Sequence, residues 1–166
     1  MPMHLECQMW LIKVSALYQP KKVLELGSCD VNGAVKNAFP TATEWVGVDI
    51  AEGPGVDIVA NAATYRGEPD SYDLVVSAST FEHTPEWPQI VKTAAWHCKP
   101  GGHAAFTTVM APFPPHSARD GKLLPGEWYS DVCPGPLKNA MQTAGFVGVH
   151  VGTTPKGDVF AVGTRA

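Results

Sequence analysis

Two apolar rhythms alternate along this chain. Leu5, Met9 and Ile12 recur at helical spacing, with Val14 and Leu17 close behind, so residues 3 to 18 are predicted to form an amphipathic helix that ends before Pro20 and whose apolar stripe packs on the sheet or covers a bound ligand. Val23-Leu24-Glu25-Leu26 is then a short apolar run closed by Gly27, followed by a loop to Gly33 and a brief helix through Phe39: strand, turn, helix. Further strands are predicted at Glu44 to Asp49, Val56 to Val59 and Tyr72 to Ser77, with the turn-rich Glu52-Gly53-Pro54-Gly55 between the first two.

From Pro85 to Cys98 the residues Trp87, Ile90, Val91, Ala94, Ala95 and Cys98 hold to one helical face, and Lys99-Pro100-Gly101-Gly102 stops that helix. A strand from His103 to Met110 follows. Leu137, Ala140, Met141 and Ala144 mark a last helix closed by Gly145, ahead of strands at 146–152 and 158–164 that Pro155-Lys156-Gly157 joins. Strands alternate with helices, and their apolar runs are continuous, which predicts a mostly parallel sheet covered on both faces. The final two strands are too close for a crossover and should form an antiparallel hairpin at the sheet edge. The expected fold class is therefore α/β, a three-layer sandwich around a mostly parallel seven-stranded sheet with a C-terminal antiparallel hairpin.

Composition narrows the function. At 166 residues the chain fits one domain over 1–166: an N-terminal helix in 1–20, a ligand-binding half in 22–110, and a long loop plus hairpin in 111–166. With 45% hydrophobic and 17% charged residues it reads as a globular protein without a membrane span. A net charge of −4, with Lys21-Lys22 as the one basic pair, gives no reason to expect nucleic acid. Cys7, Cys29, Cys98 and Cys133 lack a CxxC spacing, so neither a zinc knuckle nor a redox pair is expected, and no metal site is assigned. Met1 to Tyr18 carries Glu6 and Lys13 within its apolar pattern and does not read as a signal peptide; reducing cytoplasm is the expected compartment.

In an open parallel sheet, ligands bind beyond the carboxyl ends of the strands, near the point where strand order reverses. The loop after the first strand, Glu25-Leu26-Gly27-Ser28-Cys29-Asp30-Val31-Asn32-Gly33, has a glycine able to turn tightly and approach a ligand, but it is not GxGxxG: Cys29 stands at its middle glycine. Asp49, at the end of the second strand and 22 residues after Gly27, can accept hydrogen bonds from both hydroxyls of a ribose; the plainer alternative is a loop carboxylate. Asn61 offers an amide to an adenine edge, or is a turn residue.

Val23 to Ser28, then Gly47-Val48-Asp49-Ile50, then Tyr72 to Ser77 with Phe81-Glu82-His83, and Lys99-Pro100-Gly101-Gly102 resemble, in order and spacing, the motifs of class I S-adenosylmethionine-dependent methyltransferases. The likeness is to the small "methyltransferase type 11" group, some of whose members have an Asp-Val-Asn-Gly loop and a Gly-Pro-Gly-Val-Asp segment like residues 30 to 33 and 53 to 57, and it spans residues 22 to 110. It implies a Rossmann-like fold, S-adenosylmethionine as cofactor and S-adenosylhomocysteine as product. It also implies that Gly27 and its loop, with Glu25 and Ser28, lie under the methionine part, and that Asp49 holds the ribose. Ile50 and Ala62 would flank the adenine, Asn61 meet its edge, and Ser77 line the site near the sulfonium. Cys29 and Asn61 depart from the family's usual glycine and aspartate.

Methyl transfer from a sulfonium needs alignment and exclusion of water more than a covalent nucleophile, while a hydroxyl acceptor also benefits from a general base. His83 and His116 are the candidate catalytic residues; for His83 the plainer alternative is that Glu82-His83 ahead of Thr84-Pro85 shapes the start of the following helix. Residues 111 to 133 form a long irregular segment, and Phe113, His116, Asp120, Glu127, Trp128 and Tyr129 make it the expected recognition loop for a small-molecule acceptor. Two other readings come from different classes. One is a noncatalytic S-adenosylmethionine-binding partner subunit or obligate homo-oligomer, given how little sequence lies beyond the core. The other is a nicotinamide-dependent oxidoreductase, which lacks its usual glycine turn here.

Overall fold

The computed structural model describes residues 4–31 and 33–166, so the first helical position expected at residue 3 and the loop residue Asn32 fall outside the described residues. The elements run α1 (Leu5–Tyr18), β1 (Lys22–Leu26), β2 (Glu44–Asp49), β3 (Ile58–Val59), β4 (Tyr72–Ala78), α2 (Trp87–His97), β5 (Cys98–Val109), α3 (Pro134–Ala144), β6 (Phe146–Thr153) and β7 (Asp158–Arg165). Single 3-10 turns stand at Val35–Ala38 and Phe81–His83. Seven strands form one sheet in the order β3-β2-β1-β4-β5-β7-β6. β1 to β5 pair in parallel, while β7 runs antiparallel to both β5 and β6, so the final hairpin sits at the edge as expected.

Strand order reverses between β1 and β4, and the central strands are buried throughout: Val23, Leu24, Leu26, Leu74, Val75, Val76, Ala104, Ala105 and Phe106 are all inaccessible. Continuous apolar runs of this kind follow from a sheet covered on both faces. On one face α2 and α3 close a core containing Phe81, Ile90, Val91, Leu137 and Met141. On the other, α1 and the Val35 turn cover Val23, Leu74, Val76 and Ala105.

The inward face of α1 is not the expected one. Cys7, Leu11 and Val14 are buried, whereas Leu5, Met9, Ile12 and Leu17 are 50–72% exposed. Helical spacing permits both stripes, since this helix is apolar nearly all round. The choice falls to the stripe flanked by aromatic rings: Trp10 stacks on Phe160 at 5.2 Å and Tyr18 on His103 at 3.6 Å, and such rings bury ~150–250 Å² each. Cys7 Sγ also donates to Thr107 Oγ1 at 3.3 Å.

Two boundaries moved. β3 is only two residues long, and β5 begins at Cys98 instead of His103, because Lys99 to Gly102 run on as an irregular strand whose register shifts opposite Tyr72 and Leu74. Gly102 makes that passage possible, since a Cβ there would meet the Lys99 carbonyl at 2.9 Å. Among the described residues no helix is long and apolar enough to cross a membrane, and all four thiols are free.

Candidate active site

A cavity of about 730 Å³ opens at the carboxyl ends of the parallel strands, beside the β1–β4 reversal. Its size is that of an ordinary ligand site. One end is built from the segments after β1, β2 and β3, the other from the turn after β4 and the loop after β5.

At the first end the backbone after β1 turns through Gly27, whose φ of +82° favours glycine and where a Cβ would collide with the Thr80 side chain. Gly27 and Ser28 both donate from N–H to the Val48 carbonyl, at 2.8 and 3.1 Å, and Asp30 N–H donates to the Pro54 carbonyl at 2.8 Å, which locks this loop to the one after β2. Asp49 lines the cavity between them. Its Oδ2 accepts from Cys29 N–H at 3.0 Å and its Oδ1 from Ala51 N–H at 3.1 Å. A carboxylate has about four lone-pair sites, so each oxygen keeps one for a ligand hydroxyl. Ile50, 73% exposed, forms the lip, and Ala62 lines the wall. Asn61 lines it too, but its amide is engaged at both ends: Oδ1 accepts from Ala63 N–H at 2.9 Å and Nδ2 donates to Glu86 Oε2 at 3.1 Å.

Three expected ligand residues do not line the cavity. Glu25 is buried, its Oε2 accepts from Trp45 Nε1 at 3.1 Å, and burial pushes its carboxyl up to about 8. Ser28 has its hydroxyl buried without a partner, packed against the Gly47 backbone. Ser77 is inaccessible and donates from Oγ to the Leu26 carbonyl at 2.6 Å, tying β4 to β1. For Glu25 and Ser77 the strand's alternation aims the side chain into the protein, and for Ser28, in the loop beyond β1, the hydrogen bond from its N–H to the Val48 carbonyl accompanies an inward-turned side chain.

The other end gathers His83, His116, Phe113 and the fully buried Glu82. His83 and His116 meet edge to face with ring centroids 4.9 Å apart, and Tyr129 stands 5.7 and 5.2 Å from them. His116 Nδ1 lies 3.1 Å from the Pro114 carbonyl, and His4 packs on Phe113 at 4.5 Å. Burial lowers the His83 imidazole to about 4, so it is neutral near pH 7, and raises the Glu82 carboxyl to about 7. Thr108 Oγ1 donates to Glu82 Oε2 at 2.8 Å.

The two candidate histidines, 33 residues apart in sequence, are thus brought together, and Tyr129 with them. Asp120, Glu127 and Trp128 do not line the cavity. Glu127 accepts from Ser117 Oγ and Leu124 N–H, each at 2.8 Å, and so shapes the loop; Trp128 is half exposed. Sequence reasoning missed Glu82, Thr80 and Arg119 as lining residues. The signal for Glu82 was its place beside His83 at a strand's carboxyl end; nothing in the pattern singled out Arg119.

A family model described as a methyltransferase domain matches residues 3–151. The chain is 27% identical to the ubiquinone biosynthesis O-methyltransferase of Aliivibrio fischeri (strain MJ11) over 104 residues, covering 54% of this chain and 44% of that one. It spans between 22% and 44% of the length of the curated relatives it matches. Among solved structures, it is similar to the 1,6-didemethyltoxoflavin-N1-methyltransferase of Burkholderia thailandensis, crystallised with S-adenosylhomocysteine, at TM-score 0.69 and 14% identity, over 96% of this chain and 78% of that one. A phosphoethanolamine N-methyltransferase 2 of Haemonchus contortus, crystallised with phosphomonomethylethanolamine and S-adenosylhomocysteine, gives TM-score 0.74 at 14% identity, over 99% and 53%. At such identities the structural likeness is one of fold.

Proposed function

Because the chain belongs to the methyltransferase-domain family, we propose that it binds S-adenosylmethionine at the Gly27–Asp49 end of the cavity and methylates a small molecule held at the Glu82–His83–His116 end. The observation that carries this reading is Asp49: a carboxylate at the carboxyl end of β2, fixed by two backbone amides and retaining an acceptor site on each oxygen for a ribose diol. The backbone is tightly packed here as well: Gly27 leaves no room for a side chain beside Thr80, and a Cβ at Gly53 would stand 2.6 Å from Cys29 Sγ, so the loops after β1 and β2 are held close against their neighbours.

When bound, that cofactor supplies a methyl group already activated by a positively charged sulfur. The protein's work is to align and to exclude water, which can supply ~7–11 kcal/mol of the barrier reduction. Asp49 would take the ribose hydroxyls, Ile50 and Ala62 the faces of the base, and Gly27 the close approach of the tail. Asn61 would meet the base through its remaining acceptor capacity, with Glu86 holding its amide in place. His83 and His116 would orient the acceptor and take its proton. A neutral imidazole at His83 suits that neighbourhood, since an imidazolium would repel a sulfonium. The acceptor's identity is left to its chemistry: a small molecule that the loop of residues 111–133 closes over.

The test is turnover. Protein incubated with S-adenosylmethionine and a panel of hydroxyl- and amine-bearing metabolites should release S-adenosylhomocysteine with one class of acceptor. His83→Ala and His116→Ala should suppress that turnover while leaving S-adenosylhomocysteine affinity nearly intact. Loss of affinity with unchanged turnover numbers would overturn the assignment of these residues to the acceptor end.

A further inference from the structure

Three ligand-type side chains converge at the acceptor end from two separate segments: Glu82 and His83 from the turn after β4, and His116 from the loop after β5. One donor atom of each lies within 4.8 Å of the other two. His83 Nε2 and His116 Nε2 both stand 3.8 Å from Glu82 Oε1. That is too long for a hydrogen bond and too short for an intervening water.

The Glu82 side chain is inaccessible, and while Oε2 accepts from Thr108, Oε1 has no partner. A buried acceptor without a donor costs ~1–3 kcal/mol, more if charged, and calls for an explanation such as an ion. His116 is oriented for the purpose. With Nδ1 3.1 Å from the Pro114 carbonyl, that nitrogen carries the proton and donates it there, leaving the Nε2 lone pair facing Glu82. His83 adds a second imidazole whose Nδ1 is buried without a partner.

We propose that Glu82 Oε1, His83 and His116 Nε2 bind one divalent transition-metal ion of the zinc type, with a remaining coordination position open to the cavity. Ligand bonds of ~2.0–2.1 Å put the donors of a tetrahedral site ~3.3–3.4 Å apart, so the two 3.8 Å spacings to Glu82 need close by about half an ångström and the two imidazole nitrogens, within 4.8 Å of each other, by at most about 1.5 Å. The donor set selects the ion: two imidazoles and a carboxylate suit zinc, iron or cobalt, whereas magnesium and calcium want oxygen throughout. Three protein ligands with an open position is the pattern of a catalytic rather than a structural site. The consequence deepens the functional reading on which it rests. With the ion bound, His83 and His116 serve as ligands and no longer as bases: an acceptor hydroxyl seated at the open position would be acidified, as zinc-bound water is to a pKa of ~7, and would lose its proton to water at the cavity mouth, so the acceptor class becomes hydroxyl-bearing small molecules.

The experiment titrates Co²⁺ into chelator-stripped, intact protein, reading its visible absorption bands, followed by displacement with Zn²⁺. One equivalent should bind, Zn²⁺ should displace it, and excess Mg²⁺ should not. His116→Ala, on a loop whose loss of one side chain leaves the core untouched, should weaken binding by more than the roughly 10- to 100-fold that loss of an outer-shell partner costs, and Glu82→Gln should do the same. Absence of saturable Co²⁺ or Zn²⁺ binding, or equal binding by His116→Ala, overturns the site. S-adenosylhomocysteine titrated into the same metal-free protein separates the two claims: if it binds while metal does not, the ion falls and the methyltransferase reading stands.

Discussion

Replacing Asp49 by alanine removes one carboxylate that serves two purposes. In the ligand-free protein its oxygens hold the Cys29 and Ala51 amides at 3.0 and 3.1 Å, and both amides lie in partly or fully exposed loops. Water replaces those bonds cheaply, so the expected stability loss is ~0.5–1.5 kcal/mol per bond at most. The binding cost is larger, because the two free lone-pair sites would face a ribose diol in a closed cavity, where hydrogen bonds to a charged group contribute ~1.5–3 kcal/mol. At ~1.4 kcal/mol per decade this corresponds to about a 10- to 150-fold rise in the dissociation constant for S-adenosylhomocysteine. Asp49→Asn should not rescue it: whichever way the amide lies, its NH₂ confronts either the Cys29 or the Ala51 N–H, donor against donor. The assay is calorimetric titration of wild type, Asp49→Ala and Asp49→Asn, with circular dichroism to establish folding. A folded Asp49→Ala protein with unchanged affinity would refute the ribose contact.

Gly27→Ala should lose ~1–2 kcal/mol to its left-handed backbone alone, plus the collision with Thr80; thermal unfolding of this variant against Gly27→Ala/Thr80→Gly separates the two, since only the collision is relieved in the second. Leu11→Ala should cost ~2–5 kcal/mol in urea unfolding while Ile12→Ala stays within ~0.5 kcal/mol, and the reverse ranking would restore the stripe expected from spacing. Glu25 gives a pH dependence. Its folded value of about 8 lies above the ordinary 4.5, so its favourable contribution is complete below pH 4.5 and is lost as pH rises toward 8, by a few kcal/mol at ~1.36 kcal/mol per unit. Urea midpoints of Glu25→Gln should be flatter than wild type across that window; parallel curves would contradict the buried carboxyl.

The sheet was legible because continuous apolar runs and glycine stops are enforced by burial on both faces, and strands β1, β2 and β4 fall where Val23, Val46 and Leu74 put them. The face of α1 was not, because Leu5-Met9-Ile12 and Cys7-Leu11-Val14 satisfy the same helical period, and only partners distant in sequence, Phe160 and His103, decide between them. At the site, Gly27, Asp49, Asn61, Ala62, His83 and His116 line the cavity as residues at strand ends should. Glu25, Ser28 and Ser77 do not, since a motif marks where the backbone passes and not which way each side chain along a strand or its following loop points. Ser77 illustrates the cause: its hydroxyl is consumed by the Leu26 carbonyl of the neighbouring strand, a pairing visible only once β4 is set beside β1. Glu82 was legible only as part of the Phe81-Glu82-His83 motif, because its full burial depends on packing against β5 that the local pattern does not show.

The claim that Asp49 and Gly27 frame a methyl-donor site is tested most directly by titrating the purified protein with S-adenosylhomocysteine and with NAD under identical conditions. Both carry a ribose for Asp49, but the loop after β1 has Cys29 where the turn of a dinucleotide site has its middle glycine. Saturable one-to-one binding of S-adenosylhomocysteine, weakened in Asp49→Ala, is expected, with none of NAD. Saturable binding of NAD with no response to S-adenosylhomocysteine would contradict it.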